Sequence, residues 1–330
     1  MENRIDFGDA IASQPRWLER ADSLAALALA AHPLPAWAPG ETVAVIGMGA
    51  ATNAGTAFVE GLRQAGVRAV NLDASAASGY PVDRLADHVV LISESGRSPE
   101  PIAVAQTLPA GRRVVITNDP GAPLAQYGDV VIPLGGFTDS GVYTIGYTTT
   151  LVALARLART AGVDLGDPAG FAGVATQALA AAAPHAASLA ERLDGFSSLD
   201  IVGQGTSYGS AVAVALLVRE AAGLASAPYE TYQYLHGPME GVRPPLGVLV
   251  FGDGRERALA TQLTQAGVDV IRFVADTSGA DALHLGRSTT GLATTVAEVV
   301  FTQVIVAELA RRRSMRIGHW RFPQPDTKLA

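Results

Sequence analysis

The chain has 330 residues, of which 48% are hydrophobic and 17% charged, and its formal net charge is −7. This composition predicts a sizeable core in one large or two medium domains, and the acidic balance argues against a nucleic-acid-binding protein. The absence of cysteine excludes disulfides, thiolate metal sites and a cysteine nucleophile. No apolar run reaches the ~18 residues of a membrane span. The first residues lack a signal-peptide pattern, so we expect a cytoplasmic protein.

A helical segment and a glycine turn open the chain. Residues 1–38 are predicted to be mainly helical, and Gln14-Pro15 is expected to interrupt or start a helix. A buried-strand pattern follows at 42–46, and Gly47-Met48-Gly49 then forms a turn before another helix. The third glycine of a dinucleotide fingerprint falls at Thr52, so the pattern does not favour a dinucleotide site.

A loop rich in serine follows the next predicted strand, at 88–92. The loop contains Ser93, Ser95, Gly96 and Ser98 and leads directly into a predicted helix. Backbone N–H groups at a helix start favour an anion, so one interpretation is a phosphate site. The alternative is a capped turn with ordinary surface serines. Capping accounts for Ser98 but leaves Ser93 and Ser95 unexplained.

Strands and helices alternate through the rest of this half. The predicted strands are 88–92, 112–117 and 130–134, with helices at 99–108 and 121–127 between them. Such alternation predicts a parallel sheet with helices on both faces, in which ligands bind beyond the carboxyl ends of the strands.

The second half of the sequence repeats the first. Val45-Ile46-Gly47-Met48-Gly49 recurs as Ile201-Val202-Gly203-Gln204-Gly205, an offset of 156 residues. The stretch 248–255 occupies the place of 90–97, but Asp253 stands where the first half has Ser95. An acid at that position would repel a phosphate, so the sequence predicts one phosphate site, in the first half.

Three further residues are candidates for chemistry. Glu220 ends an apolar helix, where an acid is disfavoured, although it could be a surface charge. His236 precedes Gly-Pro in a turn, and a turn histidine commonly donates to a backbone carbonyl. Lys328 is the only lysine among 24 basic residues. Arginine cannot replace a lysine as an amine nucleophile, but chance survival in a frayed tail is the alternative. The other histidines show no metal-ligand spacing, and we expect no metal or organic cofactor.

Several motifs resemble one known family. They are Gln14-Pro15, Asn53-Ala54-Gly55, Ser93-x-Ser95-Gly-x-Ser98, Thr117-Asn118, Gly141-Val142, Glu220 sixteen residues before His236-Gly237-Pro238, and the tail lysine Lys328. Together they resemble the double sugar isomerase (SIS) domain family, which includes the isomerase domain of glucosamine-6-phosphate synthase and related phosphosugar isomerases, deaminases and deglycases.

The resemblance implies an α/β fold of two tandem SIS domains, each a parallel sheet flanked by helices in a flavodoxin-like three-layer sandwich. The implied divisions are an N-terminal helical segment at 1–38, a first SIS domain with the phosphate site at 39–165, a linker helix and second SIS domain at 166–315, and a C-terminal active-site tail at 316–330.

The resemblance also implies roles for individual residues. Glu220 would move a proton between C1 and C2 of the opened sugar. His236 would assist ring opening from the neighbouring subunit of a homodimer, and Lys328 would close over the sugar and form a Schiff base. The implied substrate-binding residues are Gly49, Ala51, Thr52, Ser93, Glu94, Ser95, Gly96, Ser98 and Val142.

Departures from the family pattern narrow the expected activity. Ala50-Ala51 stand where relatives have hydroxyls, and Asp139 stands where synthases have glutamate. Without cysteine the chain cannot release ammonia from glutamine by thiolate attack. We therefore expect an aminosugar-phosphate deaminase or isomerase, converting for example glucosamine 6-phosphate to fructose 6-phosphate and ammonia. A 6-phosphofructosyl-amine deglycase and a non-catalytic sugar-phosphate-binding regulator are the alternatives. No nucleic-acid or membrane partner is expected.

Overall fold

The computed structural model describes residues 4–275, 282–286, 289–322 and 326–329. The strands of the first half are β1 (Thr42–Gly47), β2 (Arg68–Asp73), β3 (His88–Ile92), β4 (Arg113–Thr117) and β5 (Val130–Pro133). Its helices are α1 (Phe7–Ala31), α2 (Ala50–Gln64), α3 (Ala74–Ala77), α4 (Val82–Leu85), α5 (Pro99–Thr107) and α6 (Ile145–Thr160), with a 3-10 turn at Pro123–Tyr127.

The second half follows after a helical connection. Its strands are β6 (Ser198–Gly203), β7 (Ala225–Glu230), β8 (Leu246–Phe251), β9 (Val270–Val274) and β10 (Leu283–His284). Its helices are α7 (Phe171–Ala182), α8 (Ala186–Asp194), α9 (Thr206–Ala222), α10 (Thr231–Leu235), α11 (Arg255–Gln265) and α12 (Leu292–Arg312), with 3-10 turns at Pro168–Gly170, Ala183–His185 and Pro238–Gly241.

Each half builds one parallel five-stranded sheet. The strand orders are β2-β1-β3-β4-β5 and β7-β6-β8-β9-β10, which are the same order within each half. This is the flavodoxin-like order, in which the chain changes direction beside the first strand and leaves a crevice at the strands' carboxyl ends. The predicted fold class and the internal repeat are confirmed. The division of the chain into domains at residues 165 and 166 stays a prediction.

The turns after β1 and β6 show the repeat at the level of single residues. Gly49 has φ 56° and ψ −124°, and Gly205 has φ 59° and ψ −132°. A Cβ at Gly47 would lie 3.0 Å from Cβ of Ala51, and a Cβ at Gly203 would lie 2.5 Å from the backbone oxygen of Ser207. Both turns therefore need glycine where the strand passes into the helix.

Helix α1 runs through Pro15 without a break, so the expectation that Gln14-Pro15 interrupts or starts a helix is wrong. Proline lacks the N–H that would donate to the carbonyl of Ile11 one turn earlier. Nε2 of Gln14 donates to that carbonyl instead, at 3.2 Å. The glutamine side chain thus satisfies the acceptor that its neighbouring proline leaves open.

The two halves meet through α2 and α9. A Cβ added at Gly209 of α9 would lie 2.3 Å from Cβ of Ala57 on α2, so the absence of a side chain lets the helices touch. Helix α12 packs against α7, α8 and α9. It is the one described helix long and apolar enough to cross a membrane, and 72% of its most apolar window is buried within the fold.

Candidate active site

The serine loop lies at the carboxyl end of β3 and the start of α5. Ser93 is 4% exposed, and its hydroxyl donates to Oγ of Ser98 at 3.3 Å. The N–H of Arg97 donates to Oγ of Ser95, also at 3.3 Å. Ser98 occupies the N-cap position, but its side chain makes no capping bond. The hydroxyls of Ser93 and Ser98 thus face each other. Because Pro99 and Pro101 have no N–H, the N–H of Glu100 is the only backbone donor in the first three positions of α5.

Gly96 allows the serine loop to turn against its neighbours. Its φ is +62°, and a Cβ there would lie 2.5 Å from Cβ of Ala122. The end of β4 braces the loop, because the N–H of Asn118 and Oγ1 of Thr117 both donate to the carbonyl of Glu94, at 2.8 and 3.1 Å. Nδ2 of Asn118 also reaches the Glu94 carboxylate at 3.3 Å. The loop is therefore held in shape before any ligand binds.

Asp139 organises the loop before α6. Its carboxylate accepts four backbone N–H bonds of 2.8 to 3.1 Å, from Ser140, Thr144, Ile145 and Gly146. Burial raises the pKa of Asp139, while these backbone bonds oppose the rise.

Val142 belongs to the same loop and is 2% exposed. Its N–H donates to Oγ of Ser140 at 3.2 Å, and its carbonyl accepts from Ser140 and Thr144. The polar backbone groups of Val142 are thus engaged within the loop.

The C-terminal tail contacts both loops. A Cβ at Gly141 would lie 2.3 Å from Cα of Gly318, so the tail crosses the Asp139 loop at a point that only glycine permits. Farther along, the N–H of Leu329 donates to the carbonyl of Arg97 at 2.8 Å. Lys328 is exposed and directly precedes this contact, so the structure brings the predicted tail lysine beside the serine loop.

Glu220 faces a small cavity between helices of both halves. The lining residues are Ala50, Asn53, Tyr143, Tyr147, Ala213, Leu216, Leu217, Glu220, Val299 and Gln303. Within the described ranges the Glu220 carboxylate has no hydrogen-bond partner, and burial raises its pKa to about 7. A carboxylate with a near-neutral pKa suits a general base.

The start of α2 presents a different face to this cavity than the sequence predicted. Ala50 and Asn53, three residues apart on one helix face, line it. Ala51 packs beneath Gly47 instead. Oγ1 of Thr52 is buried and has no hydrogen-bond partner among the described residues. Gly49 is exposed at the helix start. The roles predicted for Gly49, Ala51 and Thr52 stay predictions.

Tyr143 connects the cavity with the serine loop. Burial and, next, the negative charge of Glu94 raise the pKa of Tyr143, so the Glu94 carboxylate lies close to a residue that lines the Glu220 cavity. His236 is exposed at the end of α10 and does not line the cavity of its own chain. Its expected contribution to a neighbouring subunit stays a prediction. The residues that the structure describes contain no group of three or more His, Asp and Glu side chains suited to a metal ion.

Sequence reasoning missed several residues of the cavity, namely Asn53, Tyr143, Tyr147 and Gln303. Two signals were present. Ala213, Leu216, Leu217 and Glu220 recur at helical spacing, which indicates that Glu220 shares the inward face of α9. Gln303 is a buried amide in a helix whose buried positions are mostly apolar, and buried polar groups usually have a specific partner.

Comparison with solved structures finds close matches over nearly the whole chain. A candidate phosphosugar isomerase from Silicibacter pomeroyi is 25% identical, with a TM-score of 0.77 over 94% of this chain and 98% of that one. Glucosamine-6-phosphate deaminase from Thermotoga maritima is 17% identical, with a TM-score of 0.76 over 94% and 95%. Tagatose-6-phosphate ketose/aldose isomerase from Escherichia coli is 18% identical, with a TM-score of 0.75 over 97% and 96%.

No protein-family model and no curated protein sequence matches the chain. The resemblance therefore rests on the fold and on the motifs at the carboxyl ends of the strands. Both the strand order of each half and the coverage of these neighbours agree with it. The chain has the tandem SIS fold of the phosphosugar isomerases.

Proposed function

We propose that the protein is an enzyme of the phosphosugar isomerase type that acts on an aminosugar or ketose 6-phosphate. The observation that carries the proposal is the Glu220 carboxylate, which lines a cavity between the two halves and whose pKa burial raises to about 7. A surface charge would not be desolvated in this way, and a structural carboxylate would normally be hydrogen-bonded.

The serine loop is the proposed phosphate grip. A phosphate would take its bonds from the hydroxyls of Ser93, Ser95 and Ser98 and from the backbone N–H groups of Glu94 and Ser95. The N–H of Gly96 already donates to the carbonyl of Ser93 at 3.0 Å. The uncapped start of α5 adds the favourable end of a helix dipole. A 6-phosphate held here would extend the sugar chain towards Tyr143 and the cavity.

Glu220 is the proposed base. It would remove the proton from C2 of the opened aminosugar and return it to C1. The product is a 2-imine, and water adds to it to release ammonia and leave the ketose. A single base performs both transfers, which is why one carboxylate with a pKa near the working pH is sufficient.

Lys328 and His236 complete the proposal. The lysine lies beside the serine loop and would attack the open-chain ketose carbonyl as an amine. His236 would assist ring opening in the partner of a homodimer, because it can both give and take a proton near neutral pH. The homodimer and a cytoplasmic location are predictions.

The test is a panel of sugar 6-phosphates. Purified protein is incubated with glucosamine 6-phosphate, fructose 6-phosphate, tagatose 6-phosphate and a 6-phosphofructosyl-amine, and ammonia, free amine and ketose are measured. Ammonia from glucosamine 6-phosphate supports the deaminase, whereas amine from the fructosyl-amine supports a deglycase. Binding without turnover of any substrate would favour the sugar-phosphate-binding regulator and overturn the enzyme proposal.

A further inference from the structure

Gln303 shares the cavity with Glu220, and a series of buried hydrogen bonds holds its amide. Gln303 lies on α12 and is 1% exposed. Its Oε1 accepts a bond from Nε2 of Gln14 on α1 at 2.8 Å. Oε1 of Gln14 accepts a bond from Oγ1 of Thr148 on α6, also at 2.8 Å. Three helices that are distant in sequence thus fix one side chain.

The backbone of α1 determines which way both amides point. Nε2 of Gln14 donates to the carbonyl of Ile11, the acceptor that Pro15 leaves open. A carbonyl can only accept, so the Gln14 nitrogen must lie on this side, and its second N–H is directed to Gln303. Gln303 must therefore present its oxygen to Gln14 and its nitrogen to the opposite side.

The amide nitrogen of Gln303 has no hydrogen-bond partner within the part of the chain that the structure describes. Its two N–H groups belong to a side chain that lines the Glu220 cavity. A buried amide donor usually finds an acceptor. Because the oxygen end is already committed, the acceptor must come from whatever occupies the cavity.

We infer that Gln303 contacts the substrate, and that its Nε2 donates a hydrogen bond to the oxygen on the carbon next to the one that Glu220 deprotonates. The inference rests on the proposed function. When Glu220 takes the C2 proton, the electron pair of that C–H bond forms the C1–C2 double bond, and the carbonyl pair moves onto O1. Gln303 keeps its protons and stabilises the charge on O1. A donor that is in place beforehand does so without reorganisation.

The test distinguishes the hydrogen bond that Gln303 donates in the cavity from the contribution that Gln303 makes to stability through its bond with Gln14. Gln303→Met removes the donor and leaves one N–H of Gln14 unsatisfied, so both kcat and stability should fall. We expect kcat to drop about 100-fold, the lower end of the loss for one such donor, with a much smaller change in KM. The double variant Gln14→Met with Gln303→Met removes that unsatisfied N–H but leaves the carbonyl of Ile11 and the hydroxyl of Thr148 without their Gln14 partner, so its stability should stay below that of wild type and its kcat should not recover.

Two further variants complete the comparison. Gln14→Met alone keeps the amide nitrogen of Gln303 but removes the hydrogen bond that orients it. The kcat of this variant should therefore lie between those of wild type and Gln303→Met. Thr302→Val is the matched control, because among the described residues this neighbouring buried hydroxyl bonds only to the carbonyl of Glu298 within α12, at 2.7 Å. It should keep the wild-type kcat.

The outcomes are distinguishable. Wild-type kcat in Gln303→Met, or recovery of kcat together with stability in the double variant, would assign Gln303 a purely structural role and overturn the inference. A wild-type protein that turns over none of the sugar phosphates would instead overturn the proposed function, and the inference with it, before any variant is measured.

Discussion

Replacement of Glu220 by glutamine is expected to stabilise the protein and remove its activity at the same time. Burial raises the pKa of Glu220 from the ordinary 4.5 to about 7. Above pH 7 the folded protein must therefore hold a desolvated carboxylate, whereas the unfolded chain ionises it freely. Because the folded pKa is the higher one, this carboxyl's contribution to stability is complete below pH 4.5 and is lost as the pH rises through about 7.

The size of the effect follows from the two pKa values. Each tenfold change in proton affinity corresponds to about 1.4 kcal/mol, so the full difference amounts to about 3 kcal/mol. A glutamine side chain does not ionise, so the variant does not incur this loss of stability at high pH. The free energy of unfolding of Glu220→Gln should therefore exceed that of wild type by about 1 kcal/mol at pH 5 and by about 3 kcal/mol at pH 8. Urea unfolding at the two pH values measures both differences.

The pH dependence of kcat/KM reports the ionisation of the same Glu220 carboxyl group. In wild type, kcat/KM should fall tenfold for each pH unit below about 7, as the base becomes protonated. Glu298→Gln is the control, since burial also raises the pKa of Glu298 to about 7, while that carboxylate accepts bonds from Ser207 and Ser210 and lies outside the Glu220 cavity. This variant should keep the acid limb of the profile. An acid limb near pH 4.5, or equal stability of Glu220→Gln and wild type at pH 8, would refute the reasoning.

Three other predictions test the rest of the site. Ser93→Ala should raise KM for a sugar 6-phosphate about tenfold, the loss of one hydrogen bond to a charged group, and leave KM for the unphosphorylated sugar unchanged. An equal rise for both sugars would contradict the phosphate grip. Gly141→Ala should displace the tail, because its Cβ would meet Cα of Gly318 at 2.3 Å, and should lower kcat/KM, whereas Gly173→Ala, which has open space, should not. Borohydride added during turnover of a ketose 6-phosphate should reduce a Schiff base and leave a stable sugar adduct on Lys328, detected by peptide mass mapping. An active protein that shows no adduct would remove the amine from the mechanism.

The sheets could be predicted from sequence because each strand is a short, continuous apolar run. Val89, Val90, Leu91 and Ile92 are all at most 1% exposed, as expected for a parallel strand covered on both faces. The glycine turns after β1 and β6 could also be predicted from the sequence. Since Gly-x-Gly recurs at an offset of 156 residues, the sequence alone predicts two units of one topology.

The site was predicted only where its residues belong to local motifs. The serine loop could be recognised as a run of hydroxyls after a strand, but the sequence indicated a capping role for Ser98 that its side chain does not take. The continuity of α1 through Pro15 depends on a side-chain bond from Gln14. The cavity around Glu220 joins residues from α2, α9 and α12 with Tyr143 and Tyr147, and no local pattern predicts which faces of distant helices will meet.

The contact of α2 with α9 has a consequence for the origin of the active site. Under the offset of 156 residues, Ala57 corresponds to Ala213 and Asn53 to Gly209. Ala57 touches Gly209 on one side of the contact, and on the other Asn53 reaches the carbonyl of Val212 at 3.2 Å and lines the cavity together with Ala213. The contact thus pairs position 57 with position 209 on one side and position 53 with the region of position 213 on the other, which is the exchange of equivalent positions found at two-fold symmetric interfaces. The symmetry is broken at this pair, because Asn53 has a side chain where the equivalent Gly209 has none. The Asn53 side chain separates the two helices on its side of the contact, and the cavity with Glu220 lies on that side.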